Sequence, residues 1–141
     1  MEKTNLERLE KLLVNFHAQG GETPPLDALG LSSAQVVYLD HLAEQSGSSL
    51  SELAQGLGFK LASVSTMVSL LVQRGFLLKE SNPRDRRQMA LRLSPKGRKA
   101  LERVRTFRRA RLSKMLERMD ADETQEFLSL FEQALAMKKE K

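Results

Sequence analysis

Residues 76–93 read Phe76-Leu77-Leu78-Lys79-Glu80-Ser81-Asn82-Pro83-Arg84-Asp85-Arg86-Arg87-Gln88-Met89-Ala90-Leu91-Arg92-Leu93. The central six residues place Arg84, Arg86 and Arg87 in a proline-containing turn between two short segments that read as strands. Upstream, residues 76–80 are apolar and then polar. Downstream, residues 88–93 alternate, with Met89, Leu91 and Leu93 on one face and Gln88, Ala90 and Arg92 on the other. The pattern predicts a two-stranded wing whose basic tip is suited to gripping phosphate. Two short helical segments separated by a glycine-containing turn come directly before it. Helix, turn, helix, wing is the order of elements in a nucleic-acid reader.

Working back from the wing, residues 60–74 read as a helix with Val64, Met67, Val68, Leu71 and Val72 on its buried stripe and Gly75 as its stop. Its other face is rich in hydroxyls. Ser63, Ser65, Thr66 and Ser69 are mediocre helix formers, so propensity does not explain their clustering. Short hydroxyl side chains let a helix lie deep in a groove and bond to phosphate or base edges, and Leu61 could meet a thymine methyl. The competing reading is a small-residue face packed on a neighbouring helix. Ser49-Leu50-Ser51-Glu52 has the form of a capping box and opens the preceding helix, with Leu53, Ala54 and Leu57 inward and Gly58 at its end. Ser32-Ser33-Ala34-Gln35 repeats that logic. It opens a helix that carries Val36, Val37, Leu39, Leu42 and Ala43 inward and ends near Ser46 and Gly47.

Further out, residues 5–16 space Leu6, Leu9, Leu12, Leu13 and Phe16 as one apolar stripe of a terminal helix. Gly20, Gly21, Pro24 and Pro25 then make residues 19–31 a connector with little regular structure. Beyond the wing, Ser94 followed by Pro95 is a strong helix start. The long helix over 95–119 has Leu101, Val104, Phe107, Leu112, Met115, Leu116 and Met119 on one side. Such a helix is longer than a core of this size covers, so part of its stripe is expected to meet another chain. Acids at 120–123 mark a last helix start, with Phe127, Leu128, Leu130, Phe131 and Leu135 apolar, and residues 138–141 are expected to fray.

At 141 residues the chain fits one folding unit, and its 40% hydrophobic and 29% charged residues are ordinary for a soluble globular protein. No stretch has the length of a membrane span and no secretory signal is visible, so a cytoplasmic location is expected. The absence of cysteine excludes disulfides, thiolate metal sites and thiol redox sensing. His17 and His41 have no neighbouring ligand pattern, so no metal or cofactor is expected. No Ser-His-acid order, metal cluster or glycine-rich phosphate loop points to an enzyme. Charge is polarised: residues 84–118 hold 14 lysines and arginines against 3 acids, a balance of +11, so a total of +5 leaves −6 elsewhere. Such a surface attracts polyanions.

These elements, in this order, resemble the MarR family of winged-helix transcriptional regulators over nearly the whole chain. The residues that carry the resemblance are Asn82-Pro83-Arg84-Asp85-Arg86-Arg87 in the wing, Leu93-Ser94-Pro95-Lys96-Gly97 at its exit, Ser49-Leu50-Ser51-Glu52-Leu53-Ala54 at the helix-turn-helix, and Leu71 with Arg74-Gly75 at the end of the recognition helix. The implied fold is mainly α with a small β-hairpin wing. A winged helix-turn-helix over 32–94 would be flanked by an N-terminal dimerisation helix and connector (1–31) and C-terminal dimerisation helices (95–141).

The implied function is a homodimeric repressor that reads a palindromic or pseudo-palindromic operator in double-stranded DNA, with relief by a small aromatic or phenolic effector as a common family mode. Carried over by position, Arg87 resembles the minor-groove arginine and Asp85 the acid that orients it through a salt bridge. Arg84 and Arg86 would contact phosphate, and Ser32, Lys60, Leu61, Ser63, Ser65, Thr66 and Ser69 would complete the DNA-facing set. Leu6, Leu9, Leu13, Phe16, Leu112, Met115, Met119, Phe127 and Phe131 would form the dimer interface. His17, Tyr38, His41 and Phe107 are candidates for an effector cleft, with packing or surface roles as the alternative. The chain departs from the family pattern in having no arginine inside its recognition helix. Wing and phosphate contacts are therefore expected to carry much of the affinity. A winged helix serving protein contact or RNA binding is the alternative function.

Overall fold

The computed structural model describes residues 3–18, 26–82, 84–85 and 87–139. The elements run α1 (Lys3–Ala18), α2 (Leu26–Leu29), α3 (Ser33–Glu44), α4 (Leu50–Leu57), α5 (Leu61–Gln73), β1 (Leu77–Ser81), β2 (Met89–Leu93), α6 (Pro95–Leu116) and α7 (Ala121–Lys139). They fall into two compact units, Pro24–Thr106 and Met1–Thr23 with Phe107–Lys141, and the division lies inside α6.

In the Pro24–Thr106 unit, helix starts follow local chemistry. Ser32 Oγ accepts from the Gln35 N–H at 3.2 Å while the Ser32 N–H donates to Gln35 Oε1 at 2.9 Å. Ser49 and Glu52 make the same reciprocal pair at 3.1 Å each way. Each pair satisfies two backbone donors that a helix start leaves without partners. Both are the capping boxes expected from sequence. α5 ends where Gly75 adopts a φ of +83°, which lets the Gly75 N–H reach Val72 O at 3.0 Å and the Phe76 N–H reach Leu71 O at 2.9 Å. The chain leaves that turn into β1, which pairs antiparallel with β2 in the register Leu77 to Leu93 and Ser81 to Met89. Ser48 adds a bridge to Leu91 on the hairpin's other edge, with Leu91 N–H on Ser48 O at 2.8 Å.

The core of this unit joins Leu39 and Leu42 of α3, Leu53 of α4, Val64, Val68 and Leu71 of α5, Phe76, Leu77, Leu91 and Leu93 of the wing base, and Ala100, Leu101 and Val104 of α6. Two expectations fail on α3. Val37 and Ala43 are exposed, and Tyr38 and Gln35 are buried in their place. At about 100° per residue, Val37 lies nearly opposite the arc shared by Gln35, Leu39 and Leu42. Leu57, Met67 and Val72 are only partly buried against the core. Met89 is on the inward face of its strand but is exposed, because its pairing with Ser81 lies beyond the core. The connector also differs: Leu26–Leu29 forms one helical turn, closed by the Leu31 N–H on Leu26 O at 2.9 Å, which drops Leu31 into the core.

In the second unit, α1 has no buried residue and Phe16 is its only half-buried one among those described. α6 stops at Leu116, short of the expected 119. A reciprocal cap between Asp120 and Glu123, with contacts of 3.0 and 2.8 Å, starts α7 and draws 117–120 into the turn. α7 is helical through Lys139, and residues 140–141 lie outside the described residues. Phe127 and Phe131 stack with ring centroids 5.9 Å apart.

The base of the wing leaves no room for side-chain growth. A Cβ at Gly97 would run into the Phe76 carbonyl oxygen. Gly97→Ala is expected to lower stability by about 1–3 kcal/mol through overpacking, read as a lower urea midpoint at unchanged slope. An unchanged midpoint would show that the junction yields.

Candidate nucleic-acid interface

The wing tip is shaped by side chains acting on their own backbone. Asn82 Oδ1 accepts from the Arg84 N–H at 3.0 Å, and Asp85 Oδ1 accepts from the Arg87 N–H at 3.0 Å. Two such turns in succession are reinforced by Asp85 N–H on Asn82 O (3.2 Å), Gln88 N–H on Asp85 O (3.1 Å) and Asn82 N–H on Gln88 O (3.2 Å). Asp85 therefore holds the Arg87 backbone, and the expected salt bridge to the Arg87 guanidinium is not among the described ion pairs. The carboxylate is already engaged by a local amide two residues on, a geometry that aspartate favours in turns. Arg84 and Arg87 are exposed, and neither guanidinium has an ion-pair partner among the described residues. The tip thus offers unpaired cations on a constrained backbone. Pro83 and Arg86 lie outside the described residues.

Behind the tip, Glu80 pairs with Arg92 across the outward face of the hairpin. That pair neutralises one cation of the wing stem and leaves the tip as the positive end.

On α5, Leu61, Ser63, Thr66 and Ser69 are exposed and Ser65 is half-buried. The hydroxyl face is a free surface in this unit, not a packing face. Thr66 Oγ1 donates to Ala62 O at 3.1 Å, so its proton is used within the helix and its remaining capacity is to accept. Lys60 takes the N-cap position without a side-chain cap bond, which leaves its ammonium unengaged there. Ser32 is exposed at the start of α3; its Oγ serves as an acceptor for the cap, so its own O–H can still donate.

Several residues that position this surface carried no role in the sequence reading. Arg74 Nη1 donates to Gly30 O at 3.2 Å, tying the end of α5 to the turn after α2. Lys96 Nζ donates to Arg74 O at 2.8 Å and lies 4.6 Å from the centroid of the Phe76 ring. Arg105 reaches from α6 to Asp40 on α3 at 3.5 Å. These contacts join positions far apart in sequence, so no local pattern announces them; only Asn82, in an Asn-Pro turn signal, had a readable cue.

The effector candidates divide between the two units. Tyr38 is buried beside Phe59, with ring centroids 6.2 Å apart, and burial pushes its phenol above the usual range. His41 lies against Gly56, whose missing Cβ makes room for the imidazole. His17 meets the Phe16 ring edge-on in the other unit, where Phe107 is half-buried. An open groove of about 1650 Å³ runs beside α6, with Arg92, Lys96, Lys99 and Arg103 among its lining and Leu29 and Leu42 on its apolar side. Tyr38 and His41 do not line it. Among the described residues, no group of three His, Asp or Glu side chains could hold a metal ion, and no single helix is long and apolar enough to cross a membrane.

Of the proposed dimerisation residues, Leu6, Leu9, Leu13, Leu112 and Phe131 are exposed, and Phe16, Met115, Met119 and Phe127 are half-buried. Arg111 lies 4.1 Å from the centroid of the Phe16 ring.

No curated protein matches the chain in sequence. Solved structures match its fold closely. A MarR-like transcriptional regulator from Thermotoga maritima is similar with a TM-score of 0.74 and 18% identity, over 99% of this chain and 98% of that one. A variant of MarR from E. coli complexed with operator DNA gives 0.68 and 20%, over 96% and 99%. The PcaV transcriptional regulator from Streptomyces coelicolor, in complex with its natural ligand, gives 0.63 and 22%, over 93% and 89%. Residues 31–89, which span α3, α4, α5, β1 and the wing tip, match the MarR family model. Residues 31–89 are thus similar to the MarR family, and the chain has the winged-helix fold of these structures.

Proposed function

We propose that this chain is a DNA-binding transcriptional regulator that acts as a homodimer on an inverted-repeat operator, most simply as a repressor. The observation that carries the proposal is the wing tip: a backbone constrained by Asn82 and Asp85 holds Arg84 and Arg87 exposed and without ion-pair partners, next in sequence to a helix with a free hydroxyl face. In this reading α5 enters the major groove and Arg87 enters the adjacent minor groove, where a narrow groove concentrates negative potential. Arg84, Arg86, Lys60 and Ser32 serve phosphate. The MarR structure solved with operator DNA supports this docking by its likeness of fold.

Dimerisation is supported by the exposed leucines of α1 and the exposed Leu130, Phe131 and Leu135 of α7. Apolar faces of that extent on helices usually mark a partner surface. The PcaV structure with its natural ligand supports release by a small-molecule effector here as well. The proposal places the chain with its DNA, in the cytoplasm.

Four outcomes are expected. Selection from random duplex DNA should recover an inverted repeat with half-sites about one helical turn apart; no enrichment would favour protein contact or RNA binding. On the selected duplex, log Kd should vary steeply with log salt, by about 0.9 per neutralised phosphate. Arg87→Ala should weaken binding by roughly 10- to 100-fold, as for loss of one charge-assisted contact, at an unchanged melting temperature. A salt-independent Kd, or an Arg87→Ala variant that binds as the parent does, would contradict the docking. In sedimentation, the double substitution Leu9→Asp and Leu13→Asp should yield monomer where the parent is dimeric.

A further inference from the structure

The exposed face of α5 is unusual in what it lacks. Leu61, Ala62, Ser63, Thr66, Ser69 and Gln73 are its exposed side chains. Discrimination in the major groove commonly rests on arginine or lysine bidentate to guanine, or on asparagine or glutamine bidentate to adenine. Over the first two turns α5 has none of these. Its flanking arginine, Arg74, is tied to Gly30 O. Gln73 lies 12 residues beyond Leu61, about 18 Å along the axis at 1.5 Å per residue, whereas the N-terminal residues of a recognition helix are the ones that meet base edges. Serine and threonine hydroxyls accept either kind of base, and the Thr66 proton is already used on Ala62 O.

The N-terminal end of α5 offers apolar surface instead. Leu61, its first residue, is 50% exposed, and Phe59, two residues earlier, is 48% exposed. Of the leucines on either side, Leu53 and Leu71 are fully buried and Leu57 and Leu70 are half-buried. A lone exposed leucine is ordinary. Here it leads the helix that would enter the groove, next to Lys60, with the unpaired wing arginines supplying charge complementary to a duplex. The one apolar feature a base pair shows in the major groove is the C5 methyl of thymine.

We propose that the major-groove specificity of this chain rests on thymine methyl groups, with Leu61 as the determining residue; this rests on the DNA-binding reading above. Lys60 and the hydroxyls then set the helix against phosphate and base edges, and Leu61 selects by burying a methyl. The operator half-site should contain thymine where the start of α5 docks.

Deoxyuridine tests this directly, since it pairs as thymidine does and keeps the O4 acceptor, lacking only the methyl. Fluorescence anisotropy on the selected duplex should show, at one or two positions per half-site, about fourfold weaker binding on uracil substitution, the equivalent of about 0.8 kcal/mol for one buried methyl-sized group. Substitution in both half-sites should give about 15-fold by the same constant. Leu61→Ala should abolish the thymine-to-uracil ratio, whereas Arg87→Ala should lower affinity for both duplexes and preserve it. Equal binding of thymine and uracil duplexes at every position, or an unchanged ratio in Leu61→Ala, overturns the inference while DNA binding stands. Failure of the parent chain to bind any duplex overturns both.

Discussion

The buried hydroxyl of Ser94 joins the three elements on which the DNA-facing surface depends. Its Oγ donates to Gly75 O at the end of α5 and accepts from the Gly97 N–H at 3.0 Å in the first turn of α6. Its own N–H donates to Phe76 O at 3.0 Å. Recognition helix, wing base and long helix are thus pinned at one point, where Phe76 is almost completely buried and Gly97 gives the carbonyl its room. A buried hydroxyl that makes both a donor and an acceptor contact is costly to remove, because either partner would then be left unpaired. The register between α5 and the wing follows from this junction.

That register matters because α5 itself carries no basic residue. α5 supplies shape, hydroxyls and a leucine, and the charge sits on the wing. In the proposed function, long-range attraction by the wing would bring phosphate near, and short-range contacts of α5 would be free to discriminate. Had the arginines been spread along α5, each would have needed its own partner in the free protein or remained mobile. At the tip the one local acid, Asp85, is occupied with the Arg87 backbone amide, as Asn82 is with that of Arg84. The acid in the turn therefore shapes the arginines' setting without quenching their charge.

Much of this was readable in the chain because it depends on neighbours three or four residues apart. The caps at Ser32 and Ser49, the glycine stop at 75 and the hairpin alternation all have that character. The hydroxyl face of α5 was readable for the same reason: residues unfavourable in a helix need a cause. Non-local demands were not readable. The run Val36-Val37-Tyr38-Leu39 is apolar throughout, so composition could not say that Val37 points away and Tyr38 inward. Arg74 resembled a charge at a helix end and proved to be bonded across 44 residues to Gly30. Asp85 was read through a side-chain pair, whereas its contact is with backbone. The end of α6 was displaced by a cap belonging to the next helix.

In the proposed docking, wing and recognition helix form one rigid reader placed across adjacent grooves. Hydroxyl-radical footprinting of the chain on its selected duplex tests that claim most directly. The expected pattern is two protected minor-groove segments, each flanking a major-groove half-site and related by the two-fold axis of the sequence, with the minor-groove protection lost in Arg87→Ala. Minor-groove cleavage equal to that of free DNA, on a duplex that anisotropy shows to be fully bound, would contradict it.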